Sequence, residues 1–175
     1  RVPGYVLEGS EIAQVLRTVT LSDAVLNYFN EENSEKYPAL HTVASHLVPF
    51  DALIKDVTTV IDELGKVKPN ASPVLKSISR QISDKRSQGD RAFQRILKKY
   101  GQQNWLADTL ESVRNDRRVL AVKAEYKRKL RGIVHDQSAS GRTAFVEPEE
   151  MIELNNDLFE LYAARRAEEY RLLAE

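Results

Sequence analysis

A histidine beside an aspartate, His135-Asp136, is the pair of residue types in this chain best suited to acid–base chemistry. A carboxylate can orient an imidazole ring so that it accepts or donates a proton. The surrounding pattern predicts a strand, however, and neighbouring residues of a strand point to opposite faces of the sheet. We expect one of the two side chains to be hydrogen-bonded inward and the other to meet solvent or the following turn. No second acid–base group is apparent nearby, so the pattern favours a structural role and no catalytic residue is assigned.

Residues 138–141, Ser-Ala-Ser-Gly, could be mistaken for a phosphate-binding loop. Such a loop needs several backbone N–H groups converging on phosphate, a lysine, and a helix after it. Here there is one glycine, no lysine follows, and strands are predicted on both sides. The pattern favours a hairpin turn in which Ser138 and Ser140 bond local backbone and Gly141 takes a positive φ.

Carboxylates cluster after the predicted hairpin and could in principle bind a metal; they are Glu147, Glu149, Glu150 and Glu153. Glu149 and Glu153 share a helical face, but no histidine lies on it. A solvated acidic face is the favoured interpretation, and no metal ligand is assigned. Asn155-Asn156 lies in the middle of the same predicted helix, where asparagine lowers helix propensity. We therefore expect these amides to bond something specific, either the sheet turn or a neighbouring domain.

The neutral total charge conceals a strongly uneven distribution. Six basic and ten acidic residues in 1–75 give −4, sixteen and six in 76–131 give +10, and four and ten in 132–175 give −6. A basic middle third is consistent with a surface that binds a phosphate backbone. The alternative is a solvated helix face with mutual neutralisation between segments.

The nucleic-acid hypothesis depends on basic residues of a long helix and of residues 127–131, which form a dense basic tip between strands. The candidate binding residues are Arg86, Arg91, Arg95, Lys123, Lys127, Arg128, Lys129 and Arg131. Few aromatic residues lie among them, namely Tyr126, Tyr100 and Phe93, so stacking on single-stranded bases should be weak. Binding would then be driven by the phosphate backbone and would depend strongly on salt.

Helical periodicity dominates the first hundred residues and returns at the end. It predicts helices over residues 10–29, with Ser10 as the cap, 39–46, 51–64 and 73–100, and a last helix from about residue 149. The polar run from Asn30 to Lys36 is predicted to separate the first two. Ser72-Pro73 is a strong helix start, with a capping hydroxyl before a proline at the first helical position. Between Ile82 and Phe93 the long helix turns polar, which indicates either an arm projecting into solvent or a hinge at Gly89.

From about residue 109 the period changes to that of strands. Strands are predicted over residues 109–115, 118–126, 131–137 and 142–146, with Asn115-Asp116 as a tight turn. Short connections predict a small antiparallel meander. The fold class is therefore α+β and mainly helical, with three parts: a helical core with a long projecting helix (1–104), the meander packed on the core (105–148), and the start of a further helix (149–175).

The composition of the chain limits the compartment and the class of protein to which it can belong. The 175 residues include no cysteine, which excludes disulfides and thiol chemistry and suits a cytoplasmic protein. No apolar run approaches the roughly 20 residues that span a bilayer. Because the sequence starts at Arg1 and ends within a predicted helix, we expect it to be a piece of a longer protein.

Residues 132–148 read GIVHDQSASGRTAFVEP, and ELNN follows at 153–156. Together with RVLAVKAEY at 118–126 and GKVKPNASP at 65–73, this resembles the central segment of MutS-like proteins, in the branch that carries a C-terminal Smr nuclease domain and lacks the mismatch-reading domain. The likeness covers nearly the whole chain, and residues 119–156 are its specific part. Ala121 and Arg142 stand where that branch more often has proline and alanine. The resemblance marks Gly132, His135, Asp136, Ser138, Ser140, Gly141, Glu147, Pro148, Asn155 and Asn156 as a structural motif.

What the resemblance implies is the core and lever segment of a homodimeric ATPase and endonuclease that clamps branched or duplex DNA. Members of that mismatch-repair family restrain homologous recombination, act in DNA repair and, in some bacteria, engage rRNA on collided ribosomes. ATP, Mg²⁺ and nuclease chemistry would lie outside these residues, so this piece would be no enzyme and hold no cofactor. Its role would be to transmit ATP-driven changes to the clamp. The alternative is a protein-interaction scaffold whose basic surface binds an acidic protein or the ribosome without binding DNA.

Overall fold

The computed structural model describes residues 5–29 and 31–174, the side chains of Asp108 and Thr109 excepted. Within these ranges lie six helices and a four-stranded antiparallel sheet, which confirms the mainly helical α+β class. The elements in chain order are α1 (Gly9–Tyr28), α2 (Glu31–Lys36), α3 (Pro38–Ala44), α4 (Asp51–Val60), α5 (Pro73–Gly101), β1 (Leu106–Arg114), β2 (Arg117–Lys123), β3 (Gly132–Gln137), β4 (Thr143–Pro148) and α6 (Glu149–Ala174).

The chain folds into two compact units. The first takes in the described residues up to Lys76 together with those from Ala167 onward, and the second runs from Ser77 to Arg166. The three-part division at residues 104 and 148 stays a prediction.

In the first unit, several predicted helix ends differ from the observed ones. The helix predicted over residues 39–46 begins at Pro38 and ends at Ala44. Ser10 is not the cap of α1: Glu8 holds that position, and its backbone N–H donates to Glu11 Oε2 at 2.8 Å. The fourth helix ends at Val60 rather than at 64, because Asp62 Oδ1 accepts the N–H groups of Leu64 (2.9 Å) and Lys66 (2.8 Å) and closes a turn. The polar run expected to separate two helices forms the short helix α2 from Glu31 to Lys36, and Asn30 lies outside the described residues.

Two glycines of the first unit touch backbone to backbone. A Cβ at Gly9 would lie 1.9 Å from the Gly65 carbonyl oxygen, and a Cβ at Gly65 would lie 2.3 Å from that of Gly9. Gly65 also has a φ of +78°, which residues with a side chain rarely adopt. Both positions therefore require glycine.

In the second unit, the strands run in the order β1-β2-β4-β3, all antiparallel. The predicted meander order is therefore wrong, although the four strands and their orientation are right. The segment after β2 passes through a 3₁₀ turn, Ala124–Tyr126, and carries the chain past the place of β4 to the far edge. The connection leaves room for one strand between β2 and β3. That place is taken by β4, which follows β3 through a hairpin turn.

Both predicted tight turns of the sheet are confirmed. Asn115 and Asp116 have φ values of +51° and +60°, as a two-residue hairpin turn of this twist requires, and they join the pair Arg114 and Arg117. The β3–β4 turn is closed by Gly141, whose φ is +70° and whose N–H donates to the Ser138 carbonyl at 2.8 Å.

The main core lies between the sheet and the adjoining turns of α5 and α6 in the second unit. Phe93 of α5 and residues 119–122 of β2 have no solvent exposure. All four of these β2 residues are buried rather than alternate ones, because β2 is an inner strand covered on both faces. Full burial of a side chain such as Phe93 contributes about 1.5–3 kcal/mol.

The long helix α5 begins at Pro73 as predicted, with the Leu75 N–H donating to Ser72 Oγ at 2.9 Å. It continues without a break through Gly89, so the structure has no hinge there. Gly89 is buried, and a Cβ added to it would lie 3.8 Å from Met151 Cε. The polar stretch is also not a bare arm, since Lys85 pairs with Asp157 and Arg86 Nε donates to the Tyr162 hydroxyl at 2.8 Å, both on α6.

Candidate functional site

A fully buried carboxylate, Glu147, lies at the end of β4, where that strand meets α6. Arg117 Nη1 and Asn155 Nδ2 both donate to its Oε1 at 2.8 Å. His135 Nε2 lies 2.6 Å from its Oε2. The two oxygens of one carboxylate thus join side chains from β2, β3 and α6, which satisfies a charge that would be costly to bury alone.

The environment of Glu147 sets its protonation state. Burial by itself would raise the pKa of the carboxyl group, but hydrogen bonds from Asn155, His135 and Arg117 outweigh it. The pKa of Glu147 is therefore below its ordinary value, and the group is a carboxylate at neutral pH. The interpretation of Glu147 as part of a solvated acidic face is wrong, because its place at the end of an inner strand buries it; Glu149, Glu150 and Glu153 are exposed.

Asn155 and Asn156 confirm the expectation of specific amide contacts. Asn155 is buried, donates to Glu147 and to the Arg118 carbonyl (3.3 Å), and accepts the Arg118 N–H at 3.4 Å. Asn156 Oδ1 accepts from Arg117 Nη2 at 2.6 Å. Of the two expected targets, the sheet turn is the one observed, because Arg117 and Arg118 directly follow that turn.

Gly132 begins β3 opposite Pro148. A Cβ at this position would lie 2.0 Å from the Glu147 carbonyl oxygen, so only glycine lets the two strands approach here. Pro148 is fully buried and ends β4 just before α6. These residues bring β3 and β4 together at the level of the buried carboxylate.

His135 and Asp136 point apart, as the strand pattern predicts. His135 turns inward to Glu147, whereas Asp136 is exposed and accepts from Arg114 Nε at 3.1 Å. Ser138 also behaves as expected, because its Oγ accepts the Thr143 N–H at 3.1 Å. The contact of Ser140 Oγ is with a side chain instead of the backbone, since it lies 3.3 Å from Ser138 Oγ.

Three arginines around the first hairpin were missed as site residues. Arg117 binds Glu147, and Arg118 bridges Asp90 (2.6 Å) and Glu111 (2.9 Å) while its guanidinium carbon lies 4.1 Å from the Phe93 ring centroid. Arg114 lies 3.7 Å from the ring centroid of Phe145. One sequence feature could have identified Arg117 and Arg118 as site residues. They are neighbours on a strand directly after a tight turn, so their side chains point to opposite faces of the sheet.

Some of the predicted nucleic-acid-binding residues already contact other groups of the protein; the others, which we call open, form no ion pair with the residues that the structure describes. Lys123 Nζ donates to the backbone and side-chain oxygens of Asn104, both at 3.1 Å, and Arg86 is bonded to Tyr162. Lys129 Nζ lies 5.4 Å from the Tyr126 ring centroid and 5.9 Å from that of Trp105. Within the described part of the chain, no ion pair forms at the remaining candidates, which are Arg91, Arg95, Lys127, Arg128 and Arg131.

Salt bridges neutralise part of the positive charge carried by residues 76–131. Among the described residues, four cations of the basic segment bond carboxylates of the acidic segment that follows it; the pairs are Lys85–Asp157, Lys99–Glu150, Arg114–Asp136 and Arg117–Glu147. Mutual neutralisation, one of the two alternatives, therefore holds for these positions. The open arginines and lysines keep a net basic surface on residues 91–95 and 127–131.

Among the described residues, no three His, Asp or Glu side chains are grouped so that they could hold a metal ion. Over the same residues, no helix is both long and apolar enough to cross a membrane.

Known proteins similar to this chain match it over nearly its whole length. Proteins named Endonuclease MutS2 match it from Staphylococcus epidermidis (38% identity over 176 residues), Pelotomaculum thermopropionicum (36% over 172) and Listeria innocua (36% over 171). Each alignment covers 97–98% of this chain but only 22% of the relative. No protein-family model matches the sequence. The chain spans about a fifth of the relatives it matches, and its resemblance to the MutS-like family is confirmed: it is a MutS2-like protein segment.

Proposed function

We propose that this chain is a core and lever segment of a cytoplasmic MutS-like ATPase that clamps branched nucleic acid. Its own task is mechanical: it passes nucleotide-dependent movement of the dimeric protein through α6 to the clamp. ATP and Mg²⁺ binding, and the endonuclease activity in the relatives' name, are assigned to parts of the longer protein beyond these 175 residues. Roles in suppressing recombination, in DNA repair and at rRNA of collided ribosomes belong to that whole protein.

The observation that carries the mechanical role is the attachment of α6. Over its first three turns, α6 bonds β2 through Asn155 and Asn156, and α5 through Glu150 and Asp157. The carboxylate of Glu147 holds the last residues of β4 to the same cluster. Movement of this end of the helix therefore moves the sheet and α5 with it, which is what the base of a lever requires.

The nucleic-acid role is supported by the basic loop at residues 127–131 and by Arg91 and Arg95, one turn apart on α5. The basic side chains among them are exposed or half-exposed and form no ion pair with described residues. Cations of this kind bind phosphates without reading sequence, so shape would decide which nucleic acid is preferred.

Binding is tested by fluorescence anisotropy of the purified chain with a labelled four-way DNA junction, a matched duplex and a structured RNA at several salt concentrations. We expect junction-selective binding that weakens steeply with salt. Replacing Lys127, Lys129 and Arg131 with alanine should weaken it. The same change should flatten the salt dependence by about 0.9 log units per log unit of salt for each phosphate that is no longer neutralised.

A control variant of equal charge change replaces Lys36, Lys55 and Lys66, which are exposed or half-exposed residues of the acidic first segment. It should bind as the parent does. Equal weakening by both variants would mean that net charge alone, and not this loop, attracts the nucleic acid. Absence of binding to all three ligands at low salt would refute the clamp role of this segment.

A second candidate is a scaffold that binds an acidic protein or the ribosome and not DNA. It is favoured by the salt bridges that already occupy Lys85, Lys99, Arg114, Arg117 and Arg118. Loss of partner binding in the loop variant, together with no DNA binding by the parent chain, would support it. Weakened DNA affinity with retained partner binding would support the clamp.

A further inference from the structure

Three aromatic rings stack beside the basic loop, although the sequence suggested little aromatic character there. The ring centroids of Tyr100 and Trp105 are 5.9 Å apart at an interplanar angle of 25°, and those of Trp105 and Tyr126 are 6.0 Å apart at 18°. The rings come from three places in the sequence: the end of α5, the residue before β1 and the 3₁₀ turn after β2. Tyr100 is buried, whereas Trp105 and Tyr126 are half-buried and reach the surface.

Backbone contacts hold Trp105 and Tyr126, the two rings that reach the surface, in place. The Trp105 carbonyl accepts the Lys123 N–H at 2.8 Å, and Lys123 Nζ bonds Asn104, the residue before Trp105. The Tyr126 carbonyl accepts the Lys129 N–H at 2.8 Å. Leu130, only 4% exposed, anchors the loop in the core. The rings and the loop are thus fixed relative to each other before any ligand arrives.

Cations lie within reach of these rings. Lys129 Nζ lies beside both Trp105 and Tyr126, and Lys99 Nζ is 4.8 Å from the Tyr100 centroid. Arg128 is next to Lys129 in sequence and reaches solvent. The attraction of an ammonium to a ring near the surface is weak, so Lys129 can exchange it for a phosphate. Two carboxylates lie close by: Glu150 accepts from Lys99 Nζ at 2.8 Å, and a hydrogen bond to Glu125 raises the pKa of Tyr126.

We propose that Trp105 and Tyr126 form a stacking platform for an unpaired nucleobase, whose phosphate is held by Lys129 and Arg128. An aromatic surface next to cations is the arrangement by which proteins bind single-stranded nucleic acid without sequence preference. This inference rests on the proposed nucleic-acid role and makes it more specific. The preferred ligand is a structure with unstacked bases, such as an open junction centre or a single-stranded flank, rather than continuous duplex.

Trp105 is the only tryptophan in the chain and reports on this platform directly. The probes are a ten-nucleotide oligothymidylate and a ten-unit abasic strand with the same number of phosphates. We expect the oligothymidylate to quench Trp105 emission and to bind roughly tenfold more tightly than the abasic strand. The same quenching and the same affinity with both strands would overturn the platform, because phosphates alone would then explain the binding.

Two variants separate stacking from packing. Tyr126→Phe keeps the ring and should keep the preference for the base-bearing strand, whereas Tyr126→Leu keeps an apolar side chain and should abolish it. Affinity for the abasic strand should be similar in both variants, and thermal unfolding shows that each is folded. If Tyr126→Leu keeps the tenfold preference, the platform is refuted.

The two proposals fail in distinguishable ways. Junction binding that depends on the loop, without any effect of bases on Trp105 emission, would refute the platform and leave the proposed function standing. Failure of every nucleic acid to bind at low salt would refute both the platform and the clamp role of this segment.

Discussion

At the scale of single residues, Glu147 has the largest structural consequence. Replacing it with glutamine should destabilise the protein by about 3 kcal/mol, because Arg117 is left without its balancing charge. Denaturation by urea, followed by circular dichroism, measures this decrease. Glu160→Gln, an exposed change on α6, is the control and should stay within about 0.5 kcal/mol of the parent. A decrease below about 1 kcal/mol for Glu147→Gln would show that the cluster is not a structural centre.

The same variant has a defined pH dependence. The pKa of Glu147 lies below its ordinary value of 4.5 in the folded protein, so the unfolded chain binds the proton more readily. The stability contributed by the carboxylate is complete above pH 4.5 and is lost as pH falls through the folded pKa. The difference in unfolding free energy between parent and Glu147→Gln should therefore shrink below pH 4.5. An unchanged difference between neutral and strongly acidic solution would contradict this.

Gly132 offers a second test at the same scale. Alanine at this position would place its Cβ 2.0 Å from the Glu147 carbonyl oxygen, which forces β3 away from β4. We expect the free energy of unfolding to fall by at least about 2 kcal/mol. Gly101→Ala is the matched control, since nothing lies within 4 Å of its added Cβ at the end of α5, and it should be neutral or slightly stabilising. Similar melting temperatures for the two variants would refute the argument.

At the scale of elements, the start of α5 depends on one hydroxyl group. Ser72 Oγ accepts the Leu75 N–H and donates to Glu168 Oε1 at 2.7 Å. Ser72→Ala should cost about 1 kcal/mol because the cap is removed. It should also raise the pKa of Glu168, which hydrogen bonds from Arg171 and Ser72 lower to about 2. Carboxyl NMR titration checks this, and Ser77→Ala, an exposed change within α5, is the control.

Elements were predictable from sequence where the signal was local. Ser72-Pro73 indicated the start of α5, and Asn115-Asp116 indicated the first hairpin, because capping and positive φ depend on the residues themselves. Helix α2 was missed because it buries no side chain and so has no apolar period. The strand order was also missed, since the path between β2 and β3 is decided by packing over many residues.

The candidate site shows the same limit. Strand geometry predicted that His135 and Asp136 point apart, but it could not tell which of the two turns outward. The grouping of His135, Arg117 and Asn155 on one carboxylate joins residues that are far apart in the sequence and required the fold. The stacking of Trp105 with Tyr126 was hidden for the same reason.

At the scale of the whole molecule, burial is uneven between the two units. The main core belongs to residues 92–151, whereas α2 and α4 bury no side chain completely. Backbone amides of α2 and α4 should therefore exchange hydrogen much faster than those of β2 and β4. Hydrogen exchange followed by mass spectrometry of peptides measures this difference. Equal protection across the chain would contradict it.

The position of β4 between β2 and β3 has a consequence for biosynthesis. On the ribosome, β1 and β2 can pair as soon as they emerge, but β3 emerges with no neighbour to bond. Only when residues 143–148 have left the exit tunnel can one strand join both halves and bring Glu147 to Arg117 and His135. Until then β2 carries an unpaired inner edge, the kind of edge that associates with other chains. A pause in translation just before β4 would prolong that exposure, so the rate of synthesis at this point bears on the yield of folded protein.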